Sequence, residues 1–153
     1  MEKNETYNVG VKYEGFRFLR FGFVEQDDCN DEALGIQLFI DIDDTGSVLD
    51  GKAKIFVKVA VLFVRDGDKE IVANNHTVTL FRREGVRNQA EVPGHVTYPD
   101  MLLTTLVSLA ISTTRGAVLA KGAGSFLEMK PLPIVDPKAF VGRSPEKQGS
   151  VTG

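Results

Sequence analysis

Apolar and polar residues alternate strictly from Ile36 to Asp43. Ile36, Leu38, Ile40 and Ile42 fall on one side, and Gln37, Phe39, Asp41 and Asp43 on the other. A period of two is that of a half-buried strand, and the pattern predicts one over residues 33–44. The same period is clearer over residues 52–65. There Ile55, Val57, Val59, Val61 and Phe63 line one face, while Lys52, Lys54, Phe56, Lys58, Ala60, Leu62 and Val64 line the other. Asp66-Gly67 is a hairpin signal, and a fourth strand is expected to return over 70–83, with Asn74, Asn75 and His76 in its middle. Ahead of these, residues 13–25 read as a strand rich in aromatics (Phe16, Phe18, Phe21, Phe23), but phenylalanine falls on both faces and the phase is ambiguous.

The period changes after Tyr98-Pro99. Leu102, Leu106 and Leu109, with Leu103, Val107 and Ala110, recur at helical spacing through 98–121, and Thr104, Ser108 and Ser112 form a hydroxyl stripe on the other side. Proline suits a first helical turn, Asp100 meets the positive end of the helix dipole, and Gly122 and Gly124 offer a stop. Gly116 lies within the pattern and predicts a kink or a close contact. Beyond the helix, Ser125–Met129 is expected as a short extension pairing at a sheet edge. Pro131, Pro133 and Pro137 hold the next stretch extended. Residues 1–12 read as a loose leader and 142–153 as a disordered tail, so that 1–141 form one domain.

Consecutive strands joined by loops and a hairpin, followed by one helix, predict an α+β fold: a four-stranded antiparallel meander sheet with one long helix packed on one face. The strands carry apolar residues on both faces, and one helix covers only one. The surplus predicts a second partner surface, filled by another protomer, a client chain or a tail.

Composition narrows this reading. The chain has 153 residues and a formal net charge of -3, without the basic footprint expected of a nucleic-acid binder. A lone cysteine, Cys29, cannot form an internal disulfide, and Asp27 and Asp28 beside it would raise its thiol pKa rather than activate it. The N-terminus lacks the apolar core of a signal peptide, and serines, threonines and Arg115 in the helix argue against a membrane span, so a cytoplasmic protein is expected.

Candidate chemistry is sparse. An apolar strand leading into Asp41-x-Asp43-x-Thr45 has the shape of the nucleophile motif of haloacid-dehalogenase-type phosphatases, in which a first aspartate attacks phosphorus and both acids hold magnesium. That chemistry needs a parallel βα sheet. Here a loop and a hairpin follow, and the favoured reading is a solvated strand face. His76 and His95 lack partners at metal-ligand spacing, the acids of 27–32 fit no calcium loop, and Arg82, Arg83 and Arg87 read as a solvated strand end. No catalytic residue, metal or cofactor is predicted.

The order of elements and two local patterns resemble the SecB-like family of chaperones. The first is Tyr98-Pro99 opening the long helix, followed by a serine/threonine-rich stretch and Arg115-Gly116. The second is Leu132-Pro133-Ile134-Val135-Asp136. The resemblance covers residues 13–140. It implies a non-catalytic protein that binds non-native polypeptide or a partner protein on exposed apolar sheet surface, and that assembles as a homo-oligomer, dimer or tetramer, without nucleic acid or membrane insertion. By position, Phe39, Phe56, Leu62 and Val64 are the expected polypeptide-binding residues, or else residues of an oligomer interface. Asp41 and Asp43 lie where the export chaperone uses acidic groups to dock the SecA motor. The segment between Arg115-Gly116 and Pro133 is longer and richer in glycine than the family pattern, and the C-terminal helix is cut to 136–141. Both departures weaken a role in protein transport. The alternative is a structural or assembly homo-oligomer whose second sheet face is permanently buried.

Overall fold

The computed structural model describes residues 10–27, 33–43, 53–84 and 100–141. Four strands, β1 (Gly10–Arg20), β2 (Leu34–Asp43), β3 (Ala53–Arg65) and β4 (Ile71–Glu84), form one antiparallel sheet in the order β1-β4-β3-β2. The meander holds for β2, β3 and β4. β1 instead lies beside β4 at the far edge, a Greek-key order. The long helix α1 (Asp100–Lys121) follows, then the single turn α2 (Phe126–Met129) and a 3₁₀ turn, Pro137–Phe140. Cys29, Thr45, Arg87, His95, the Tyr98-Pro99 pair, the leader before residue 10 and the tail from 142 lie outside the described residues.

The core is the face that the alternation marks. Ile55, Val57, Val59, Val61 and Phe63 of β3 are fully buried, as are Leu34, Ile36, Leu38 and Ile40 of β2 to within a few per cent. Removing a side chain such as Phe63 from water stabilises the fold by roughly 1.5–3 kcal/mol. Leu106, Val107, Ala110, Ile111, Thr114 and Val118 of α1 are buried on this inner side, and the Thr77 and Thr114 hydroxyls meet across the helix–sheet contact at 2.8 Å.

The ambiguous phase of the first strand has a physical cause. Two register shifts, at Tyr13/Gly15 and Phe18/Arg20, change which face successive residues occupy. Phe16 and Phe18 therefore both pair with inner-face threonines, Thr79 and Thr77. The strand then breaks, and Gly22–Val24 rejoins β4 through Asn74 N–H to Gly22 O at 3.0 Å and Val24 N–H to Val72 O at 2.7 Å. Edge-to-face ring contacts run from Phe16 through Phe18, Phe21, Phe23 and Phe126 to Phe63. Lys121 Nζ lies 5.3 Å from the Phe21 ring.

Three local expectations change. Ser125–Met129 makes no edge pairing; Ser125 caps α2, its hydroxyl accepting from Leu127 N–H at 3.1 Å, while Glu128 accepts from Gly124 N–H at 2.8 Å. Gly116 is exposed, a Cβ there would touch nothing, and α1 continues through it. The close approach occurs instead at Gly122, where a Cβ would lie 2.8 Å from Leu127 Cβ, and the left-handed residue is Gly124, with φ of 85°. In the β3–β4 connection the positive φ belongs to Lys69 (60°), not to Gly67.

Arg115, from the first of the two patterns behind the family resemblance, meets the second pattern in space. Arg115 donates from Nε to Leu132 O at 3.1 Å and from a terminal nitrogen to Pro133 O at 3.0 Å, fastening the proline-rich segment to α1. Asp136 then caps the 3₁₀ turn by accepting from Lys138 N–H.

Candidate polypeptide-binding face

The second face of the sheet is covered by no described element. The strand period that sends Ile55–Phe63 inward sends Phe56, Lys58, Ala60, Leu62 and Val64 outward, and all but the exposed Lys58 are half-buried by their neighbours. In register beside them stand Gly35↔Val64, Gln37↔Leu62, Phe39↔Ala60, Asp41↔Lys58 and Asp43↔Phe56. The six residues singled out from the sequence, Phe39, Asp41, Asp43, Phe56, Leu62 and Val64, therefore share one face on two adjacent strands. Phe39 is 38% exposed, a large value for an aromatic in a strand.

β4 and β1 extend the face with residues that sequence reasoning did not select. Asn74, His76, Val78, Leu80 and Arg82 alternate outward on β4, and Arg20, Arg17 and Lys12 of β1 pair with His76, Val78 and Arg82. Arg82 Nε lies 3.1 Å from the Glu14 carboxylate. A cavity of about 400 Å³ opens on this face, lined by Leu19, Phe39, Asp41, Lys58, Ala60 and His76 among others. His76 Nε2 lies 2.6 Å from Asn74 Oδ1. Partial burial, aided by the positive field of Arg20, holds the imidazole below the ordinary histidine range, which favours its neutral form. The signal for this cavity was a small residue, Ala60, among large ones on one strand face, and it becomes readable only once the strands are in register.

The phosphatase reading finds no support in this geometry. Asp41 and Asp43 stand on the solvated face of an edge strand that turns back into an antiparallel neighbour, where the nucleophile motif needs a parallel strand leading into a helix. No three His, Cys, Asp or Glu side chains gather as a metal site among the described residues.

The helix has an uncovered side as well. Met101, Thr105, Ser108, Leu109, Ser112, Gly116 and Ala120 are exposed, and none is charged. By length and composition α1 would suffice to cross a membrane, contrary to the expectation from its threonines and serines, because its charges are few: Asp100, Arg115 and Lys121. Its buried face packs on the sheet, and 33% of its most apolar window is buried.

No protein-family model matches the chain. No curated protein sequence matches it either. Among solved structures it is similar to a SecB-like chaperone of Mycobacterium tuberculosis in complex with a ChAD peptide from the HigA1 antitoxin. The TM-score is 0.50 at 12% identity, over 82% of this chain and 86% of that one. The fold is SecB-like. At this identity the likeness speaks for architecture and leaves the residues of the face to be argued from their own chemistry.

Proposed function

We propose that this chain is a non-catalytic, SecB-like chaperone of the cytoplasm that holds non-native polypeptide, or an unfolded segment of a partner protein, on the outer face of its sheet. The observation that carries this reading is the uncovered apolar strip Phe39, Phe56, Leu62 and Val64, set on a sheet whose core is already complete on its other side. Extended chains bind such surfaces by placing alternate side chains in pockets. The SecB-like structure to which the fold is similar was solved with a peptide from an antitoxin, which supports a polypeptide as the ligand. Asp41 and Asp43, at the edge of the strip, serve as the docking point for a partner.

The protein acts as a homo-oligomer, dimer or tetramer. The uncharged outer side of α1, with Met101 80% exposed and Leu109 47% exposed, is the surface that favours self-association. That observation also sustains the second reading, a structural or assembly oligomer in which the sheet face is buried between copies. One experiment separates them. The purified protein is sized by light scattering and tested for suppression of aggregation of an unfolded model protein, beside Leu62→Asp. Suppression by the wild-type oligomer, lost in a variant of the same size and circular dichroism, supports the chaperone. A stable oligomer without suppression supports the structural reading, and a monomer without suppression overturns both.

A further inference from the structure

The outer face is charged asymmetrically, and this asymmetry, resting on the polypeptide-binding reading above, specifies which polypeptide it takes. Ala60 is bounded along β3 by Lys58 and Leu62 and across the sheet by Phe39 and His76. Three of them, Lys58, Phe39 and His76, together with Asp41 line the open cavity of about 400 Å³ over the Ala60 methyl group, with Leu19 on the β1 side. An open cavity of that size has room for one bulky apolar side chain.

The charges around it are mostly positive. Lys12, Arg17 and Arg20 of β1 and Lys54 and Lys58 of β3 are exposed on this face, while Asp41 and Asp43 are the exposed acids, both on β2; Glu14 is engaged by Arg82. The whole chain carries 18 Lys and Arg against 21 Asp and Glu, so a basic face is a matter of placement and not of composition. Asp41 stands opposite Lys58 and offsets part of its charge, which leaves the excess on the β1 side, at Arg17 and Arg20.

An extended chain crossing the sheet from Ala60 reaches Arg20 through the register Ala60↔His76↔Arg20 after two strand steps, roughly 10 Å or about three residues, and Lys58 and Arg17 flank that path one side-chain pair away, roughly 6.8 Å. We infer that the face takes an extended polypeptide segment that seats one aromatic or other bulky apolar side chain in the Ala60 cavity and lays acidic residues, two or three positions away, over Lys58, Arg17 and Arg20. A nucleic acid would use the same bases, but an apolar cavity rimmed by Asp41 and Phe39 suits a side chain better than a phosphate backbone.

The test is fluorescence anisotropy of the full chain with short labelled peptides. One carries a central tryptophan between glutamates, the second the same tryptophan between lysines, and the third glutamates around a central serine; a single-stranded RNA of equal length is measured alongside. The acidic tryptophan peptide is expected to bind about tenfold or more tighter than either other peptide, a difference that shrinks as salt rises. Ala60→Leu fills the cavity and should weaken that peptide about tenfold. The double variant Arg17→Glu with Arg20→Glu, two residues outside the lining of the cavity, should abolish or reverse the preference for glutamate. Equal or tighter binding of the lysine peptide, indifference to both variants, or RNA binding more tightly than the peptide overturns the inference. If aggregation suppression persists while the peptides are not discriminated, this inference fails and the chaperone reading stands. If neither suppression nor peptide binding occurs, both fail.

Discussion

The Thr77–Thr114 contact is the polar tie between sheet and helix, and its energetics can be worked out from its burial. Both side chains are fully buried, and their hydroxyl oxygens lie 2.8 Å apart. Valine has nearly the shape of threonine, so Thr77→Val or Thr114→Val removes one hydroxyl without leaving a cavity. Each single change loses a hydrogen bond and strands the other hydroxyl in an apolar contact, which costs about 1–3 kcal/mol. The double variant strands nothing and should lie within about 1 kcal/mol of wild type. Urea unfolding at fixed protein concentration measures this directly. A loss of about 2 kcal/mol moves the midpoint by roughly 1 M for a domain of this size, while the double variant recovers most of it. The cycle should therefore show a coupling of about 2 kcal/mol or more. Additive losses in the double variant would refute the reasoning, and would mean that each hydroxyl is satisfied elsewhere.

Three further outcomes follow from the geometry. Lys69→Gly relieves a left-handed residue at φ of 60° and loses only an exposed 4.0 Å contact with Asp66, so thermal unfolding should show a gain of about 0.5–1 kcal/mol; a loss would refute the strain argument. His76 has its pKa lowered by folding, so the unfolded chain binds the proton more readily; its contribution to stability is complete above the ordinary value of 6.5 and is lost as pH falls through the lower folded value. His76→Gln should flatten the urea midpoint against pH in that window relative to wild type, and an unchanged profile would exclude the assignment. Arg115→Lys cannot reach the Leu132 and Pro133 carbonyls with a planar fork, and should cost about 1–3 kcal/mol and raise proteolysis within the 130–141 segment; a variant indistinguishable from wild type would dissociate the segment from this anchor.

Periodicity made β2, β3, β4 and α1 legible to within a residue or two, because each buries one face and leaves a regular repeat. β1 was legible as a strand but not in phase, since its two register shifts break the repeat that a phase requires. The β3–β4 turn was placed correctly but its chemistry was not. Asp66-Gly67 favours a tight turn, yet the chain closes from Arg65 N–H to Glu70 O at 2.9 Å, with the Arg65 guanidinium held by the Asp68 and Glu70 carboxylates. The hydrogen bonds from Arg65 hold the Asp68 carboxyl below its usual range. Ser125-x-x-Glu128 was a readable helix-start signal, masked by its proximity to the helix terminator Gly124. The candidate face was legible as a surplus of apolar residues. Its cavity was not, because Leu19, Ala60 and His76 come from three strands, and only the pairing brings them together.

The alternation along β3 also separates stability from binding. Ile55 to Phe63 inward and Phe56 to Val64 outward belong to the same thirteen residues, yet they face different solvents. Truncating Phe63, whose ring packs edge-to-face on Phe126 of α2, leaves a core cavity and should cost about 3–5 kcal/mol. Truncating Phe39, which is 38% exposed, opens no cavity in the core and should cost clearly less than truncating Phe63. A sheet that needed its outer apolar residues for folding would show comparable losses on both faces. One whose inner layer is self-sufficient leaves the outer residues available for the contact with another chain proposed above. That asymmetry makes the binding variants interpretable, because a variant that stays folded and loses its ligand has lost a contact and not a structure.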